Sequence, residues 1–274
     1  MGNASIIYYQ PHPLLKPFIL HYIGLRNTTQ DDYKEVTLFP SNNPILCFDK
    51  ERKHFKSSEG KMFNFSACFL GTSITSSQFE KLADEVIQIV FKPFGVFNLF
   101  GIPQGQLVNL ILDASLVLKQ IDGLTTQLEN EIESSFSRIQ KIEAWLLKHL
   151  LSQKNASRSP VMMACEKIKE SCGTIPIKSL YKMVGMSERS FRYHFTEQTG
   201  ISPKVFSRIV RFNKINSMLE TATSAPDLQD IIYKFGFFDQ THFINEWKWF
   251  YGDTPSRLIK KQTKYLNLNA LIFA

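Results

Sequence analysis

The chain has 274 residues, is 43% hydrophobic and 21% charged, and carries a formal net charge of +7. That is enough apolar material for one large domain or two ordinary ones, yet no apolar run reaches the roughly 18 residues of a membrane helix; the best candidate, Leu107 to Leu118, is interrupted by Asn109 and Asp113. The first residues have no charged region ahead of an apolar stretch, and Ile6 stands where a myristoylation signal wants Ser or Thr, so a cytoplasmic protein with no membrane partner is expected.

In chain order, residues 35–39, 44–49, 63–70 and 85–91 read as strands between turn-forming residues, which predicts a small β-rich sheet or barrel. Helices are expected around 94–100, from Leu107 into Leu118, and from Ser135 to Leu151. The last has Ile139, Ile142, Leu146 and Leu150 at helical spacing, a stripe that suits a core helix or a dimer interface. Phe48, Phe63, Phe65, Phe91 and Phe94 could line an aromatic pocket, although strand alternation places the same rings in plain core. Cys47, Cys68, Cys165 and Cys172 sit in no CxxC pair and at no metal-ligand spacing, and His12, His21 and His54 form no His-x-His pair. The thiols are expected to be inert, with neither metal nor cofactor bound. Nucleotide-binding glycine motifs, a nucleophile elbow and the zinc-protease motif are all missing from the sequence.

A polar stretch at 153–160 ends in Pro160 and reads as a linker between a domain at 1–152 and one at 161–265, followed by a tail at 266–274. Residues 1–152 carry 14 Lys+Arg and 15 Asp+Glu, a balance of −1, whereas residues 153–274 carry 18 and 10, a balance of +8. A basic module joined to a neutral one suits binding to a polyanion, because each neutralised phosphate releases counterions.

Within the basic part the sequence repeats itself. Counting from Phe191 and from Phe243, the next aromatic follows at four residues (Phe195, Trp247), Gly at nine (Gly200, Gly252) and Pro at twelve (Pro203, Pro255). Upstream, Ile177, Leu180 and Val184 precede Gly185 at the spacing with which Leu228, Ile231 and Phe235 precede Gly236. The copies differ by one residue in the turn. Each reads as a helix, a tight turn with Gly, and a second helix capped by Ser187 or Asp239 and stopped by Gly. These are two helix-turn-helix units, at about 175–200 and 227–252, each with the aromatic side of its second helix buried. Between them Ser202-Pro203 opens a helix to about residue 222. Nineteen or so residues span about 28 Å, close to the ~34 Å between successive major-groove faces on one side of DNA.

These residues resemble the C-terminal DNA-binding domain of the AraC/XylS family of bacterial transcription regulators. The resemblance covers about Met162 to Lys260 and rests on Gly185-Met-Ser-Glu-Arg-Ser-Phe191, Phe195, Thr199-Gly-Ile-Ser-Pro203, Arg211, Gly236-Phe237, Asp239-Gln-Thr-His-Phe243 and Gly252-Asp-Thr-Pro255. It implies that the second helix of each unit enters the major groove of double-stranded DNA. Carried over position by position, the base-reading residues are Arg189, Arg192 and Tyr193 in the first unit and Gln240, Thr241, Ile244 and Asn245 in the second. Their chemistry fits, since Arg pairs bidentately with guanine, Gln or Asn with adenine, and Thr or Ile methyls meet thymine methyls. Lys178, Lys182, Lys204, Arg208, Lys248 and Lys260 are the expected phosphate contacts, while Arg211 suits either DNA or a structural ion pair. Tyr181 and Ile232 stand where the family has a small residue, and Trp249 and Phe250 where it has basic ones. Residues 178–214 hold eight Lys or Arg against three in 228–257, so the first unit is expected to supply most of the DNA affinity.

The N-terminal part resembles, more weakly, the domains that accompany such modules, through Pro13-Leu-Leu-Lys-Pro-Phe18 and Ile89-Val-Phe-Lys-Pro-Phe-Gly95. The whole is therefore expected to be an α+β protein: a β-rich, cupin-like barrel or sheet domain with helices, then an all-α domain of two helix-turn-helix units joined by a long helix. The resemblance implies sequence-specific transcription regulation, with activation the commoner role, and RNA polymerase, a small-molecule effector and a second copy of the chain as further partners; it assigns no effector residues. The rivals are an architectural, nonspecific DNA binder and an enzyme with its chemistry in residues 1–152. No paired catalytic carboxylates, metal triad or activated Cys supports the latter.

Overall fold

The computed structural model of the chain describes residues 5–26, 35–49, 51–52, 55–81, 85–129, 134–152, 159–221, 228–252, 254 and 266–267. Its N-terminal part is built on two sheets. Strands β1 (Ser5–Tyr9), β2 (Ile19–Arg26), β4 (Ile45–Phe48), β7 (Ala67–Leu70), β9 (Glu85–Phe91) and β10 (Ile111–Asp113) form a six-stranded antiparallel sheet in the order β1-β2-β9-β4-β7-β10. The second sheet has the order β11-β3-β8-β5-β6, from β3 (Glu35–Leu38), β5 (Phe55–Ser57), β6 (Met62–Phe63), β8 (Ser77–Lys81) and β11 (Leu266–Asn267). Every residue of the apolar run in β4 is buried, because this central strand is covered on both faces.

One face of the larger sheet is closed by helices α1 (Gly95–Phe100), α2 (Ile121–Glu129) and α3 (Ser135–Ser152). Ile139, Ile142 and Leu146 of α3 are buried with Leu46, Phe69 and Ile89 of the sheet, so the apolar stripe of this helix packs on its own chain. Residues 107–118, expected to be a helix, instead form a 3-10 turn (Gln104–Leu107), strand β10 and a second 3-10 turn (Ala114–Leu116). The polar Asn109, at φ 60°, and Asp113, whose side chain caps the second turn by accepting from the Ser115 N–H at 2.9 Å, break the helical register where the pattern had looked continuous. Strands β1 and β2 were not anticipated; their apolar residues sit beside prolines and histidines that blur any alternation.

The five expected pocket phenylalanines do not converge on one pocket, although the Phe63 and Phe65 rings lie 6.5 Å apart. Phe48 and Phe91 belong to the core beneath the helices, Phe63 to a small cluster with Phe55 and Phe79, and Phe94 to the core of the helical domain. A cavity of about 520 Å³ does lie by the second sheet, lined among others by Phe63, Phe79, Leu70 and Ile111. Cys47, Cys68 and Cys165 are buried free thiols, and burial pushes the Cys68 thiol up to about 12.

The C-terminal part is helical: α4 (Pro160–Glu170), α5 (Ile177–Met183), α6 (Glu188–Thr199), α7 (Pro203–Thr221), α8 (Leu228–Phe235) and α9 (Gln240–Tyr251). Ser159 starts α4 by accepting from the Met162 N–H at 3.2 Å, with Pro160 in the first turn, as a helix start requires. A single core joins all six helices and takes in Phe39 and Phe94 from the other domain. Tyr181 and Ile232, larger than the small residues the resemblance led us to expect, are accommodated at its margin, half-buried and buried respectively.

Candidate nucleic-acid interface

Both second helices are built as the repeat predicts. Ser187 accepts from the Ser190 N–H at 3.2 Å to start α6, and Asp239 from the His242 N–H at 2.7 Å to start α9. Each helix is stopped by a glycine in the left-handed region, Gly200 at φ 83° and Gly252 at φ 76°, a conformation that carries little penalty only without a Cβ. Phe191 and Phe195 of α6, and Phe243, Trp247 and Phe250 of α9, are fully buried. Helical periodicity therefore turns the opposite sides outward.

On α6 the outward row is Arg189, Arg192 and Tyr193, all exposed. Arg192 forms an ion pair with Glu188 one turn back, at 2.7 Å; a pair this exposed contributes little and leaves the guanidinium available. On α9, Gln240, Thr241 and Asn245 are exposed and Ile244 is half-buried against the core. Lys178, Lys182, Lys204 and Lys248 are exposed around these rows, whereas Lys260 falls outside the described residues. Arg208, also expected to contact phosphate, is engaged within the protein. Its Nε lies 2.7 Å from the Glu246 carboxylate and its guanidinium stacks 4.6 Å from the Trp249 ring and 5.1 Å from Phe250. With its Nε and its flat face engaged, Arg208 ties α7 to α9, and Trp249 serves as the platform on which it lies. Arg211 is structural as well: it donates to the Phe235 carbonyl at 3.2 Å and lies 5.1 Å from the Phe237 ring.

The first unit is also held by the N-terminal domain. Thr72 Oγ1 donates to the Thr199 carbonyl at 3.1 Å, and the buried Gln104 side chain donates to the carbonyls of Pro93 and Gln198. A Cβ on Gly200 would stand 2.9 Å from the Gln104 carbonyl oxygen, closer than a side chain there could stay without one of the two backbones shifting. Beside this contact a cleft of about 780 Å³ opens, with Ile102, Leu107 and Leu116 on one wall and Arg192, Tyr193 and Thr196 on the other. Part of the outward row of α6, Arg192 and Tyr193, thus borders the N-terminal domain. Nothing in the sequence signals this juxtaposition, because it joins residues about ninety positions apart.

A family described as a helix-turn-helix domain matches residues 180–261. This part of the chain is thus similar to helix-turn-helix domains. The match spans both units from Leu180 onward. Residues 7–113 match a domain of unknown function, DUF6597. Among solved structures, ToxT from Vibrio cholerae O395 is 11% identical over 94% of this chain and 97% of its own, with a TM-score of 0.44. Wild-type ToxT from Vibrio cholerae strain SCE256, bound to an unsaturated fatty acid, is 13% identical over 94% and 96%, with a TM-score of 0.42. The AraC-like transcriptional activator CuxR is 16% identical over 81% and 83%, with a TM-score of 0.23. No curated protein matches the chain. Among the described residues, no helix is long and apolar enough to cross a membrane.

Proposed function

We propose that the chain is a sequence-specific, effector-responsive transcription regulator that places α6 and α9 in adjacent major grooves of its operator. The observation that carries this reading is the pair of outward rows, Arg189, Arg192 and Tyr193 on one helix and Gln240, Thr241 and Asn245 on the other. Both rows stand on helices whose other faces are locked into one core. Arg at two of these positions favours guanine, and Gln and Asn favour adenine. Exposed Lys178, Lys182, Lys204 and Lys248 supply the sequence-independent attraction. Responsiveness is supported by the cleft that the N-terminal domain shares with the α6 reading face, since a small molecule that altered this contact would alter access to DNA. The cavity of about 520 Å³ beside the second sheet has the size of a small-molecule seat.

Selection of bound sequences from random double-stranded DNA by the full chain, with and without metabolite mixtures, tests the reading. A two-part motif with its halves one helical turn apart is expected, and recovery of DNA without any enriched motif would favour a nonspecific binder.

A further inference from the structure

The two units differ by one residue in the turn, and the structure identifies the residue that makes the difference. In the first unit Gly185 is followed by Met186, which packs on the core, and by the cap Ser187. In the second, Gly236 is followed by Phe237, which is buried, then Phe238, and only then the cap Asp239. Met186 and Phe237 do the same work, as do Ser187 and Asp239. Phe238 has no counterpart.

This additional ring is 90% exposed, and its position is fixed from both sides. Gly236 turns the chain at φ 66°. The Phe237 ring is held against Phe243 and His242, at 5.1 and 5.6 Å between centroids. The Phe238 N–H faces His242 Nδ1 at 3.3 Å, and Asp239 caps the helix. A lone exposed phenylalanine on a mobile loop would call for no explanation. Here the ring is set by a rigid turn at the N-terminal end of α9, two residues before Gln240, at the end of a recognition helix whose side chains approach base edges. The second unit is also the one poor in cations, with three Lys or Arg in residues 228–257, so an apolar contact there supplements a weak electrostatic one.

We infer that Phe238 is a specificity-determining residue, its ring packing on the 5-methyl group of a thymine adjoining the bases read by Gln240 and Thr241. This inference rests on the DNA-reading role proposed above. Apolar contact with the thymine methyl is one of the few ways in which a side chain without donors or acceptors reads sequence in the major groove.

The test uses the full chain, its selected operator, and the same operator with each thymine of the second half-site replaced in turn by uracil, which removes only the methyl group. Loss of one buried methyl corresponds to about a fourfold weaker binding. The expected result is that one uracil replacement weakens the wild-type chain by about that factor and leaves Phe238→Ser unaffected, while motif selection with Phe238→Ser loses its thymine preference at that position alone. An operator motif in which no thymine methyl matters, or one in which uracil weakens wild type and Phe238→Ser equally, would overturn the inference and leave the DNA-reading role standing. Should Phe238→Ser instead change the oligomeric state and keep the motif, the ring serves a protein contact and the inference fails. If no motif is enriched at all, both fail together. Gln240→Ala, which should relax a different position, is the control that the second unit is engaged.

Discussion

The two helix-turn-helix units share a plan and differ in what holds them. The first is compact in its aromatics, with Phe191, Phe195 and Phe206 in contact at 5.3 to 5.5 Å between centroids, and its recognition helix is gripped at the C-terminal end by hydrogen bonds from Thr72 and Gln104. In the second, the recognition helix is embedded in rings: Phe212 lies 5.0, 4.8 and 4.2 Å from Trp247, Phe250 and Tyr251, and Trp247 stacks on Tyr251 at 11°. The same sequence spacing therefore supports one helix held at its C-terminal end by polar side chains of the neighbouring domain and another embedded mainly in aromatic packing, with Phe39 of that domain among its rings.

The largest expected effects concern that packing. Phe191→Ala and Trp247→Ala should each cost about 3–5 kcal/mol of stability, measured by chemical denaturation; a markedly smaller loss for Trp247 would show that the aromatic cluster of the second unit can collapse around the gap. Next comes DNA. Arg192→Ala should weaken operator binding by about 1–3 kcal/mol and by more than Asn245→Ala does, and a larger loss from Asn245 in titrations at one salt concentration would reverse the proposed division of labour. Alanine at the two helix-stopping glycines isolates the domain contact. Both suffer the roughly 1–2 kcal/mol of a left-handed alanine, but Gly200→Ala must also displace the Gln104 carbonyl, whereas a Cβ at Gly252 meets open space. Equal melting shifts for the two would mean that the Gln104 segment yields freely. The smallest effect is expected from Glu246→Gln, which releases Arg208 from its 2.7 Å ion pair. Stability should fall by under about 1 kcal/mol, and the salt dependence of DNA binding should steepen by up to about one counterion.

The helical domain was legible because its signals are local. Caps, stop glycines and the four-residue aromatic spacing each act within a turn or two, and the structure places Ser187, Asp239, Gly200 and Gly252 as that spacing required. The β-domain was half legible. Strands β3, β4 and β9 stand out as apolar runs, but β1 and β2 do not, and the stretch at 107–118 mimicked a helix because apolar residues that line a turn, a strand and another turn happened to fall at helical intervals. The partner of Arg208 was hidden for a related reason: a cation on a basic helix reads as a phosphate contact, and the Glu246 carboxylate beside it comes from another helix. Contacts of that range leave no trace in periodicity.

The N-terminal domain touches the helical domain at more than one place. Besides Thr199 and Gln198 on α6, Asn42 donates to the Phe206 carbonyl at 3.3 Å, Asn213 to the Pro40 carbonyl at 3.1 Å, and the Ser76 N–H to the Phe250 carbonyl at 3.1 Å, next to a Phe39–Tyr251 ring contact at 4.3 Å. The trailing ends of α6 and α9 are thus both seated on the N-terminal domain, through loops around Ser41 and Ser73 that are themselves bridged to each other, so the separation of the two helices depends on those loops as well as on the length of α7. Under the DNA-reading role proposed above, a shift of those loops by a fraction of a base-pair step is a way to change the accepted operator spacing without altering any residue of the two outward rows.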